Sequence, residues 1–333
     1  MALKRSPLLA ILCFLFICVL NIQARSPIEE DEEVKVLERQ LSSLNKPPIM
    51  SFKTDYGMTI DCIDIYKQPA FDNPLLKNHT IQIQISCPDG TVPIRRTTKE
   101  DLVRWKSSVR PQDYDPFHPK DPKTHYAVVK FKKLDKPYVS AQGTFSTHLP
   151  PVDAGEMSGA RVWIYGGGGP DGNSISAGWT VHPDLYGDSF SHLTAYWEMA
   201  VLDVLIRSVQ DGQTGNWWLA TERNFVPIGY WPRELFPQLS GGASNIAYGG
   251  ITKARPNYEN PAMGSGLADC DFYHTAYIHN IGLKAGSDQV TPNWSQAEID
   301  VDCPNEYTVQ HNCEEQLDPP NFYFLYGGAA GVC

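Results

Sequence analysis

At 333 residues the chain is long enough for one or two domains, and 42% hydrophobic residues supply a sizeable core. A formal net charge of −10 argues against polyanion partners, since nucleic-acid binding needs a basic face. Aromatics at 11%, with 26 glycines and 26 prolines, favour many short strands and turns over long helices.

In chain order, Lys4 and Arg5 precede an apolar run over residues 8–20, and Ala24 offers a small residue for cleavage. Residues 1–24 therefore read as a secretory signal, which implies export. The run is short for a membrane helix, and no later stretch is long enough to span a bilayer. Cys13 and Cys18 leave with the signal, so Cys62, Cys87, Cys270, Cys303, Cys313 and Cys333 remain. An even number in a secreted chain implies bridges, with about fifteen pairings possible. No C-x-x-C spacing points to zinc, and no cofactor motif is present. Asn78-His79-Thr80 and Asn293-Trp294-Ser295 are glycosylation sequons that predict surface loops.

After an acidic cluster at residues 29–33, Val34, Leu37, Leu41 and Leu44 recur at helical spacing. They predict a helix over residues 34–44, stopped by Asn45 and Pro47-Pro48, either as a solvated linker or packed on a later domain. Ile81, Ile83 and Ile85 alternate with polar residues and predict a strand. Over residues 110–122 the composition shifts to Pro, Asp and Lys, including Pro111, Pro116, Pro119 and Pro122. Such a segment is expected to be extended, exposed and cleavable. It places a boundary near residue 120, between a pro-region of residues 25–120 and a mature domain of residues 121–333.

The remainder reads as short strands over residues 126–132, 143–149, 160–165, 174–181, 193–201, 217–221, 227–231, 244–249, 277–283 and 323–326. Without alternating helices these predict an all-β fold, an antiparallel β-sandwich preceded by a small pro-region with a short helix and strands. Residues 173–188 (NSISAGWTVHPDLYGD) are the organising stretch. Ile175, Ala177, Trp179 and Val181 point to one face; Ser174, Ser176, Gly178 and Thr180 point to the other, before Pro183 ends the ladder. The small polar face suits a concave substrate surface, or equally an ordinary strand with one face in water.

The wording of that stretch resembles the neprosin family of plant secreted glutamic peptidases. So do TGNWW (residues 214–218), GYWP (229–232), ELFPQL (234–239), MGSG (263–266) and LYGG (325–328). Upstream, residues 61–82 and 87–97 resemble that family's activation peptide. The resemblance implies a sandwich of two antiparallel sheets and post-proline endopeptidase activity in acid, without metal or cofactor. It also implies Cys62–Cys87 and Cys313–Cys333 bridges, which leaves Cys270 to pair with Cys303. Family members carry a longer insert where this chain has residues 198–213, so either the sandwich is trimmed or the gene model has lost an exon.

A glutamic peptidase needs two carboxyl groups across a cleft, whose shared environment splits their pKa values into a base for water and an acid for the leaving amine. In the family pattern the first glutamate stands where this chain has Ser176, and the second where it has Ile251. Neither can do that work, so no catalytic residue is assignable by resemblance. Glu198 is the candidate replacement, with Asp188 and Glu222 near cleft-forming segments. A Ser176, His182 or His192, and Asp184 relay lacks the G-x-S-x-G setting. His274 and His279 would point to opposite faces of a strand. The glycine run at residues 166–169 lacks the Lys-Ser/Thr of a phosphate loop and reads as a hairpin connection. Trp217-Trp218 and Tyr230-Trp231 read as core residues or as a platform for sugars or proline rings. The expected molecule is a secreted monomer of the apoplast or vacuole, impaired as an enzyme. Its expected partner is a peptide or protein, Pro-rich in character, with no nucleic acid and no membrane span; the alternative is a non-catalytic cleft binder for Pro-rich or cell-wall ligands.

Overall fold

The computed structural model describes residues 27–54, 57–76, 79, 87–107, 115–119, 121–167, 172–195, 197–199, 204–221, 226–313 and 322–333. The signal, Asn78, the strand over Ile81–Ile85 and Glu222 lie outside the described residues. Among the described residues the strands form a three-stranded, an eight-stranded and a seven-stranded sheet.

The small sheet belongs to the pro-region and joins β1 (Pro48–Lys53), β2 (Thr59–Asp64) and β3 (Thr91–Arg95) antiparallel. A helix over Pro27–Leu44 precedes it, starting earlier than the apolar repeat predicts. Only Leu37 of that repeat is buried, while Val34 and Leu44 remain exposed, so the stripe is used at one point. Asn45 fixes the helix end by exchanging two 2.8 Å hydrogen bonds with the backbone of Thr97. Buried Asp61 accepts two hydrogen bonds from Arg96, at 2.6 and 2.8 Å, and one from Ser51 at 2.6 Å. Cys62 is joined to Cys87 with Cα atoms 5.7 Å apart. A second helix, Lys99–Ser107, went unseen in the sequence because charged residues dominate it.

The mature part is a sandwich. One sheet runs in the order β16 (Ala297–Val301), β4 (Thr124–Phe131), β13 (Asn245–Lys253), β6 (Met157–Gly166), β7 (Asn173–Val181), β8 (His192–Ala195), β9 (Trp197–Met199). The other runs β12 (Val226–Trp231), β11 (Trp217–Thr221), β10 (Val204–Gln210), β5 (Tyr138–Phe145), β14 (Tyr277–Ala285), β18 (Phe324–Gly327), β17 (Thr308–Gln310), with β15 (Asp288–Val290) on β14. Alternate residues from both sheets fill the space between them, among them Phe131, Val162, Ile164, Trp179 and Tyr248 against Phe145, Trp217, Ile278 and Phe324. Tyr248 crosses the gap to donate its hydroxyl to the Gln142 carbonyl at 3.0 Å.

Strand β10 lies within the shortened segment of residues 198–213 and pairs with both β5 and β11. The eight-stranded sheet is continuous through it.

Two of the three bridges differ from the expected ones. Cys270 joins Cys313 and Cys303 joins Cys333, with Cα separations of 5.3 and 5.4 Å. The β17–β18 ladder ends at Thr308 and Gly327. Beyond it the Cys303 carbonyl accepts from the Glu306 and Tyr307 N–H groups in a turn, and the chain after β18 bridges Gly328 to Met263 and Gly331 to Asn260 before it reaches Cys333. The same ladder carries Cys313 to the far end of the hairpin. There Gln310 donates to the Ala268 carbonyl at 3.4 Å and holds the Cys270 loop alongside.

Candidate functional site

The face of β6, β7 and β13 turned away from the sandwich core carries Ser176 and Ile251, the two residues singled out in the sequence. Its rows follow from the strand pairing. Ala247, Trp163 and Ser176 form one row; Gly249, Arg161, Gly178 and Thr194 the next; Ile251, Gly159, Thr180 and His192 the third. Ser176 and Ile251 thus share a face but sit two strands and two rows apart. At roughly 4.8 Å per strand and 3.3 Å per residue, their Cα atoms are about 16 Å from one another. Ser176 is buried, and Ile251 is fully enclosed in an apolar cluster with Tyr126, Val128, Met157, Trp163 and Ala247.

Arg161 occupies the middle of the diagonal between them. It is 2% exposed, and its Nη2 donates to Thr180 Oγ1 at 3.0 Å. Its partners across both strands are glycines. A Cβ at Gly178 would fall 1.8 Å from the Ala160 carbonyl oxygen, and one at Gly249 would fall 2.1 Å from that of Ala127. Beyond β7, buried His182 has its imidazole pKa pushed down to about 4, by burial first and then by the positive charges of Arg161 and Lys253. Lys253 pairs with Asp121 at 3.1 Å. Burial alone would raise the Asp121 carboxyl, but the Lys123 backbone N–H and Lys253 outweigh it and hold it below the usual range.

The face is also covered. Strand β6 is buried along its whole length. Part of the segment expected to be an exposed linker is seated on it instead: among its described residues Pro116 is buried and Phe117 packs on the Tyr126–Trp163 cluster. Lys130, ion-paired to Asp300, donates to the Pro116 carbonyl at 2.8 Å and lies 5.5 Å from the Phe117 ring centroid. The rings of Phe117 and His118 stand 5.4 and 4.9 Å from that of Tyr165. On the far side of the face Tyr186 stacks on His192 at 3.9 Å and hydrogen-bonds Thr194 at 2.8 Å. Trp105 of the pro-region donates to the Leu185 carbonyl at 3.2 Å.

The remaining sequence candidates are dispersed. Glu198 sits on β9 opposite Thr194, in the row of Arg161, and its side chain lies outside the described residues. Asp188 is engaged by His192 at 2.7 Å, and Asp184 accepts the Gly155 N–H at 3.0 Å. Ser176 and His182 are separated along β7 by roughly 20 Å of extended chain, too far for a relay. His274 pairs with Asp271 on an exposed loop, whereas His279 packs 5.4 Å from Tyr277. Gly166 and Gly167 lead into the β6–β7 hairpin connection. Trp217 and Trp231 enter the core, whereas Trp218 and Tyr230 pair on the opposite face at 5.0 Å. There the pro-region docks again, His79 meeting the Tyr230 hydroxyl at 2.7 Å and Glu234 at 3.3 Å. Asn293 is exposed, its Oδ1 accepting from the Ser295 N–H at 3.1 Å. Among the described residues no group of His, Cys, Asp or Glu is placed to hold a metal, and no helix is long and apolar enough to cross a membrane.

Sequence reasoning missed Arg161 and the Lys130–Phe117 contact, and weighed His182 only as a member of a serine relay. Alternation on β6 puts Arg161 on the side of Trp163, and its neighbour across the ladder is the glycine of the NSISAGW stretch. Those signals sat in the sequence, but reading them needs the strand register.

Scytalido-glutamic peptidase, solved with a peptide-based transition-state analogue, is 10% identical, covers 62% of this chain and 98% of its own, and aligns with a TM-score of 0.33. SCP-B, a peptidase of the Eqolisin family solved with the tripeptide Ala-Ile-His, is 9% identical at the same coverages, with a TM-score of 0.34. The Neprosin activation peptide profile matches residues 51–86, which include β2 and the end of β1 in the small sheet. The Neprosin profile matches residues 154–203 and 199–329, two pieces that meet at the start of the shortened segment. From the activation peptide through the sandwich, this chain belongs to the neprosin family.

Proposed function

We propose that this chain is a secreted neprosin-family proprotein that has lost glutamic-peptidase chemistry. The observation that supports the reading is the face itself, where Ser176 and Ile251, which the resemblance puts in place of the glutamates, lie on either side of buried Arg161. A hydroxyl at its ordinary pKa is a poor base, and an isoleucine transfers no proton. Residues 1–24 direct export, residues 25–120 form the pro-region, and residues 121–333 form the mature domain; Asn78 and Asn293 carry glycans in the apoplast or vacuole. The protein acts as a monomer, without cofactor.

A second reading, retention of the face as a peptide-binding surface for Pro-rich segments, is favoured by the seating of Pro116 and Phe117 upon it.

The test is incubation of the acid-treated chain with Pro-containing peptides, followed by mass spectrometry. Cleavage no faster than a blank is expected. Post-proline cleavage that survives serine-protease and metal-chelating inhibitors would sink the reading, and Glu198 would then be the first residue to replace.

A further inference from the structure

We propose that the outer face of the seven-stranded sheet holds a seat for an aromatic side chain that directly follows a proline, and that it takes such segments from other polypeptides. The inference rests on the binding reading above and deepens it. The chain's own Asp115–Pro119 segment shows what the seat recognises. Lys130 fixes the carbonyl of the proline at 2.8 Å, held in turn by its ion pair to Asp300. The next ring, Phe117, lies on the buried Tyr126–Trp163 cluster, with Tyr165 at 5.4 Å and the Lys130 ammonium at 5.5 Å from its centroid. His118 then covers Tyr165 at 4.9 Å. The Asp115 carboxylate accepts the Phe117 N–H at 2.9 Å and meets His118 Nδ1 at 3.2 Å, so the segment presents Phe117 from a self-supported turn.

Each contact reads a general chemical feature. A proline has a carbonyl to accept and no N–H to desolvate, a ring fills an apolar hollow, and neither feature depends on the rest of this chain. A tethered segment competes at an effective concentration on the order of millimolar, which masks the seat until the segment is displaced.

The experiment uses the full chain, with Phe117→Ala to empty the seat, and a synthetic peptide carrying residues 113–121 (DYDPFHPKD). Calorimetry should show saturable binding to F117A and weaker binding to the native chain. A peptide whose phenylalanine is replaced by alanine should bind F117A at least about tenfold more weakly, the scale set by burying one aromatic side chain. Should F117A fail to fold, the native chain supplies the same answer. Excess phenylalanine peptide should displace the cis segment and expose the Phe117 bond to chymotrypsin, and the alanine peptide should not. Equal binding of both peptides, or equal affinity of native chain and F117A, overturns the proposal. A peptide that binds and is then cut after proline supports the seat while refuting the loss of catalysis; one neither bound nor cut does the reverse.

Discussion

Restoring glutamates at Ser176 and Ile251 should not by itself restore a peptidase. A carboxylate at position 176 would lie one row and one strand from Arg161, a diagonal neighbour across β6 and β7. At roughly 6 Å and an effective dielectric of about 20, the attraction is about 3 kcal/mol, or about two pKa units downward. A glutamate at 251 faces the same cation from the other side and must also enter an apolar cluster. The acid at 176 would be drawn towards ionisation, and the one at 251 would be pulled down by the cation and up by burial, whereas the mechanism needs the pair split around one shared proton. The S176E/I251E chain should therefore stay at blank rates on Pro-containing peptides from pH 2 to 6. Adding Arg161→Gln keeps a donor for Thr180 while removing the charge, and it should raise the rate above that of the double variant. The readout is a pH–rate profile of all three variants with circular dichroism as a folding control. A bell-shaped acid profile in S176E/I251E with Arg161 intact would refute the reasoning.

Non-reducing peptide mapping should link Cys270 to Cys313 and Cys303 to Cys333, each bridge stabilising by about 2–4 kcal/mol; a Cys313–Cys333 peptide would contradict the fold around β17 and β18. Stability should also fall in acid through His182. Its proton affinity is lower folded than unfolded, so its contribution is complete above the ordinary pKa of 6.5 and is lost as the pH falls to about 4. The loss is about 3 kcal/mol at most, and His182→Asn should flatten denaturation midpoints across that window. Asp61 and Asp101 titrate below it. Their folded values are lowered, the first chiefly by the Arg96 hydrogen bond; for the second, burial raises the value, and bonds from Thr98 and Arg95 outweigh it. Their contribution is present above 3.8 and lost only as the pH falls through the folded values.

The sandwich was legible because its strands alternate: Ile175, Ala177, Trp179 and Val181 all enter the core, as their period of two requires. β10 was not, since its residues mix charge and apolar character, and pairing with β5 and β11 supplies what local pattern lacks. The missing glutamates were visible as residues, while their separation depends on the register of three strands. The bridges failed for a similar reason, since resemblance carries residue types but the fold decides which cysteines meet. The Asp115–Pro119 segment misled by composition, because a proline-rich run reads as solvated until a ring within it finds an apolar seat.

The Pro116–Phe117 bond offers the most direct measurement. It is a post-proline bond already seated on the face, with its carbonyl held by Lys130. Residual peptidase chemistry would act on it before any added peptide, since a tethered bond needs no encounter. The purified chain should be held in acid and followed by intact mass and N-terminal sequencing at several concentrations. The account predicts that the bond stays whole; a fragment beginning at Phe117, formed at a rate independent of concentration, would contradict it.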